Sequence, residues 1–117
     1  MEQTWFSGVS DELARCVTDA QACAAACETL LASMRDSEDD DWLSVLRTVV
    51  PPAAIARVLV DLIDQPPQFL AACKLFRDSA REAIDRLVPL DRAETSAVIS
   101  ALRTSAASCG QLLDAAA

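Results

Sequence analysis

Residues 13–34 read LARCVTDAQACAAACETLLASM. Within this stretch Leu13, Cys16, Ala20, Cys23, Cys27, Leu30 and Met34 follow one another at alternating steps of three and four residues. Such steps return to one side of an α-helix each time, so they predict a helix whose apolar stripe packs against other helices. Three of these seven positions are cysteine and the last is methionine, while the chain contains no histidine. Sulfur is therefore the soft donor available to the interior.

The boundaries follow from the flanking residues. Ser10 suits an N-cap, and Asp11 and Glu12 would sit in the first turn, where the helix dipole favours negative charge. Helix 1 is expected over residues 11–35. The acidic run over residues 36–41 reads as a solvated loop, because it lacks the spaced ligands and glycine of a calcium loop. Beyond it, Trp42, Leu43, Leu46, Val49 and Val50 begin a second helical pattern, which resumes with Ile55, Val58, Leu59, Leu62 and Ile63. Pro51 and Pro52 interrupt it, so residues 41–64 predict either one helix kinked at Pro51-Pro52 or two short helices in line. Gln65-Pro66-Pro67 is a stop, with Pro67 suited to the first turn of helix 3, expected over residues 67–87.

Helix 3 carries the stripe Phe69, Cys73, Phe76, Ala80, Ala83 and Leu87, with charged residues on the opposite side. Asp78 with Arg81 and Glu82 with Arg86 are the expected ion pairs. After Val88-Pro89-Leu90, Asp91 and Glu94 have the spacing of a capping box for helix 4. The stripe of that helix is Val98, Leu102, Ser105 or Ala106, Cys109, and Leu112 or Leu113. The fold class predicted is all-α: an antiparallel four-helix bundle in a single domain over residues 1–117. Residues 1–10 form a lead-in whose Trp5, Phe6 and Val9 would lie across one end of the core.

Composition agrees with helices and narrows function. The chain has 117 residues, only two glycines, and 52% hydrophobic residues. No apolar run approaches the roughly 20 residues of a membrane span, and no secretory signal opens the chain, so a cytoplasmic protein without membrane partners is expected. A net charge of −8, with one lysine among ten basic residues, argues against nucleic acid. Five cysteines cannot all pair within one molecule, so thiols are expected. With no histidine or tyrosine, and no cysteine at a helix N-terminus, the residues argue against an enzyme.

The stretch Asp11-Glu12-Leu13-Ala14-Arg15-Cys16, followed by Ala22-Cys23-Ala24-Ala25-Ala26-Cys27-Glu28, resembles the cysteine-rich four-helix-bundle copper-storage proteins. Leu70-Ala71-Ala72-Cys73 resembles the third helix of that family. The resemblance implies a bundle whose interior thiolates hold copper(I). This chain departs from the pattern at Ala20, Leu30 and Met34 in helix 1 and throughout helix 2, which has no cysteine. Arg77, Ala80 and Ile84 stand where the pattern places further thiols in helix 3, and helix 4 keeps only Cys109. A reduced copper capacity is therefore expected.

Copper(I) accepts two or three thiolate or thioether ligands. Cys23 and Cys27, one turn apart, can clamp one ion; Cys16 and Met34 lie on the same stripe, each about two turns from that pair. Cys73 or Cys109 would complete a site if the bundle register brings them level. The candidate ligands are Cys16, Cys23, Cys27, Met34, Cys73 and Cys109. Zinc fits less well, since its structural sites are four-coordinate and draw close-spaced ligand pairs from two segments. The alternative is a metal-free scaffold that binds a protein partner or a small apolar ligand, with cysteines as small buried hydrophobes. Self-association, which buries a remaining apolar stripe, is open to either reading.

Overall fold

The computed structural model describes residues 8–35 and 40–116. Trp5, Phe6 and residues 36–39, read above as an end cover and a loop, lie outside them. Four helices make up the fold: α1 (Ser10–Met34), α2 (Trp42–Asp61), α3 (Pro66–Leu87) and α4 (Ser96–Ala116). Successive helices pack against one another, and α4 closes the ring against α1. The result is an all-α antiparallel bundle, as the periodicity predicts.

All seven stripe positions of α1 are buried, and so are all six of α3. The α1 stripe is built from small side chains at Cys16, Ala20, Cys23, Ala24 and Cys27, whereas α3 contributes Phe69 and Phe76, both fully buried. Large groups from one helix thus complement small ones from another, as close packing requires. Leu59 of α2 and Leu102 and Leu112 of α4 complete the centre, each with no exposed surface. Val9 is buried at the start of α1.

Several local expectations are corrected. Ser10 is the first helical residue rather than the cap; Val9 holds the cap position, and its carbonyl accepts from the Leu13 amide at 2.8 Å. Of the two alternatives for the second pattern, the single helix is the one observed: residues 42–61 form one helix that carries Pro51 and Pro52 in its interior. Those prolines have no N–H to offer the carbonyls of Arg47 and Thr48. The helix survives because Val45, Val49, Ala53, Ala56 and Leu59 remain buried on one side through the interruption. Against the expectation that no segment is long and apolar enough for a membrane span, α2 is so by length and composition. Only 39% of its most apolar window is buried within the bundle.

The capping box before α4 does not form. Pro89 closes a 3₁₀ turn over Val88–Leu90, after which Asp91 adopts left-handed backbone with φ 50°. Aspartate tolerates that region better than most residues. A second 3₁₀ turn, Ala93–Thr95, leads into α4. Arg92 holds this corner by donating to Asp41 at the start of α2 (3.1 Å) and to Glu94 (3.2 Å). On the surface, Arg86 pairs with Glu82 at 2.8 Å as expected, while the ion pair of Asp78 is with Arg77 at 3.4 Å.

Candidate metal centre

Three helices bring one cysteine each to a common level. Cys16 lies six residues into α1, Cys73 seven residues into α3, and Cys109 seven residues before the end of α4. Because α1 and α3 run one way and α4 the other, all three fall near the same end of the bundle. The Cys16 sulfur is 3.5 Å from that of Cys109 and 3.8 Å from that of Cys73, and all three sulfurs lie within 4.8 Å of one another. Cys16 is 1% exposed, and Cys73 and Cys109 are wholly buried.

The register that sets this level is fixed by polar contacts between α1 and α4. Arg15 donates to Gln111 at 3.3 Å, and the Ser105 hydroxyl donates to the backbone carbonyl of Asp19 at 2.8 Å. The Ser108 hydroxyl donates to the Asp19 carboxylate. Asp19 and Ser108 were not legible as site neighbours in the sequence. The available signal is a serine at a buried α4 position, which needs a partner inside the bundle.

Two of the sulfur separations, 3.5 and 3.8 Å, lie near those of a metal–thiolate site. For a metal–sulfur bond of about 2.3 Å, sulfurs lie about 3.8 Å apart in tetrahedral and about 4.0 Å apart in trigonal geometry. The stripe positions that flank the three cysteines on their own helices are Leu13, Ala20, Phe69, Phe76 and Leu112, together with Ser105, whose hydroxyl is engaged by Asp19. None adds a fourth soft donor. The three buried cysteines are close enough to hold a metal ion, and they offer it a three-sulfur environment.

Their electrostatics divide the three thiols into two kinds. The Cys16 thiol is pushed below the ordinary thiol range because the thiols of Cys109 and Cys73 hydrogen-bond to it, against burial and the Asp19 carboxylate. Cys73 is pushed up by its hydrogen bonds to Cys109 and Cys16 and then by burial. Cys109 is also pushed up, chiefly as a donor to Cys16; Arg77 works in the opposite direction. The neighbouring S–H donors thus favour the thiolate form at Cys16 over Cys73 and Cys109.

Cys23 and Cys27, the expected clamp, form a separate pair higher on α1. Both are fully buried. Cys23 is lowered by Cys27 and, after the opposing effect of burial, by the Ser105 hydroxyl; Cys27 is raised by Cys23 and by burial. Ser105 thus lies between the two groups of thiols. Met34 is buried at the far end of the stripe, about 27 Å along the axis from Cys16, and stands apart from both. The five cysteines are therefore clustered and inaccessible at once, and all are free thiols. No known protein family, curated protein or solved structure matches the chain.

Proposed function

We propose that this protein binds copper(I), with Cys16, Cys73 and Cys109 as the ligands of its principal site. The observation that carries the reading is the convergence of three buried sulfurs from three helices near metal–thiolate spacing, with no fourth cysteine or carboxylate grouped with them among the described residues. Copper(I) is soft and stable with three sulfurs, whereas structural zinc takes four ligands. The resemblance of the α1 and α3 motifs to the copper-storage proteins supports the same ion. The site is one of binding rather than catalysis, and a reducing compartment such as the cytoplasm would keep its thiols available.

Cys23 and Cys27 supply a second, two-sulfur position, so the capacity is one to two ions. Met34 takes no part in the principal site. X-ray absorption at the copper edge, on reduced protein loaded with one equivalent, tests the assignment. Three sulfur scatterers at a single short distance are expected; a shell containing nitrogen or oxygen would overturn it.

A further inference from the structure

A helix at the surface of a bundle ordinarily turns mostly polar residues outward, yet one outward line of α2 is largely apolar. Leu43, Arg47, Val50, Ala54, Val58 and Asp61 fall within about 40° of one line along the helix at 100° per residue. All six are exposed, Leu43 at 51%, Val50 at 42% and Val58 at 52%. Leu75 of α3, 59% exposed, extends the apolar surface across a shallow groove that also includes Ile55, Leu62 and Ala72. A contiguous apolar stripe of this kind marks an interaction surface.

The stripe is symmetric about Ala54. Val50 and Val58 stand four residues to either side, and Arg47 and Asp61 stand seven residues to either side. When two copies of α2 cross antiparallel at Ala54, Val50 of one protomer meets the partner's Val58, and Arg47 meets the partner's Asp61. The small side chain at the crossing point lets the helices approach closely. Neither Arg47 nor Asp61 has an ion pair among the described residues. Asp61 ends α2, where the helix dipole disfavours a carboxylate, so electrostatics within the chain do not account for its position. The face as a whole is neutral on a chain of net charge −8, which suits contact with a second copy of itself.

We infer that this face is the interface of an isologous homodimer. α2 packs against α2 of a second copy about a two-fold axis at Ala54, and two Arg47–Asp61 ion pairs close the ends. The inference is independent of copper, since none of the cysteines lies on α2.

Sedimentation velocity on the full, reduced, metal-free chain at micromolar concentrations tests it. The unaltered protein is expected as a dimer, and Val58→Glu as a monomer with unchanged helical circular dichroism. Arg47→Asp and Asp61→Arg should each weaken dimerisation by roughly tenfold, because each places like charges in contact at both ends. Combining Arg47→Asp with Asp61→Arg should restore the dimer, an outcome that loss of folding cannot imitate. A monomer at every concentration overturns the inference, as does a Val58→Glu dimer or a double reversal no better than either single one. A monomeric chain that co-sediments with phosphatidylcholine vesicles would assign the face to lipid and overturn it equally.

Discussion

The sulfurs of Cys16 and Cys109 lie 3.5 Å apart although 93 residues separate them in the chain. Their approach depends on the antiparallel register of α1 against α4, which Arg15–Gln111 and Ser105–Asp19 hold on either side. Cys73 completes the group from α3, so three sulfurs from three helices gather at a single level of the core.

Cys16 is the hub of that level, since it touches both other sulfurs. Cys16→Ser should therefore lower copper(I) affinity by more than the roughly 10–100-fold typical of lost outer-sphere partners. Cys23→Ala with Cys27→Ala should leave the first ion in place and remove only weaker uptake. Competition against a copper(I) chelator reads both, and loss of the first ion in the Cys23/Cys27 variant would move the site up α1.

Loading should also release protons. Cys73 and Cys109 are held above the ordinary thiol range and keep their protons near neutrality, whereas Cys16 is held below it. An incoming ion displaces about two protons, so apparent affinity falls as pH falls, by up to about two logarithmic units per pH unit. Titration calorimetry in buffers of different ionisation enthalpy counts them; uptake without proton release contradicts the assignment.

Alkali should destabilise the metal-free fold. The ordinary thiol value is 9.0, and Cys27, Cys73 and Cys109 are raised above it in the folded chain. Groups raised in this way contribute stability that is complete below 9.0 and is lost as pH rises, because the unfolded chain then ionises thiols that the folded chain keeps protonated. Cys16 and Cys23 are lowered, so their contribution is already complete above 9.0 and does not fall in that window. Each raised thiol removes roughly 1.4 kcal/mol per pH unit above its unfolded value. With one lysine and no tyrosine in the chain, few other groups titrate there. Thermal melts under reductant should show Tm falling above pH about 9, and a flat profile would be inconsistent with thiols held protonated by their neighbours and by burial.

The helices were legible in the sequence because their stripes are long and regular. Every stripe position of α1 and α3 is buried, from Leu13 to Met34 and from Phe69 to Leu87. The turns were less legible. The Asp91–Glu94 spacing suggests a cap, but Pro89 and the left-handed Asp91 take the chain through two 3₁₀ turns instead. The site was half legible. Its residue types stood out, yet the Cys23–Cys27 spacing drew attention to a local clamp. The grouping of Cys16, Cys73 and Cys109 depends on how far each lies from a common bundle end, and interhelical packing sets that register.

Pro51 offers a test of how α2 tolerates its prolines. Its side chain is exposed, and Pro51→Ala would return a donor to the Arg47 carbonyl without opening a cavity. The helix-interior penalty of about 3 kcal/mol is offset in part by the greater freedom of the unfolded chain, leaving a gain of about 1–2 kcal/mol. Chemical denaturation should show a higher midpoint; a lower one would mean that the proline itself is required by the packing.

The most direct measurement is an anaerobic copper(I) titration of the reduced protein against a competing chelator, with bound metal counted. One tightly held ion, followed by at most one weaker ion, is the predicted result, and Cys16→Ser, Cys73→Ser and Cys109→Ser should each remove the tight one. No uptake above the competitor, or tight uptake that survives all three replacements, would contradict the assignment of this sulfur triangle as a copper site.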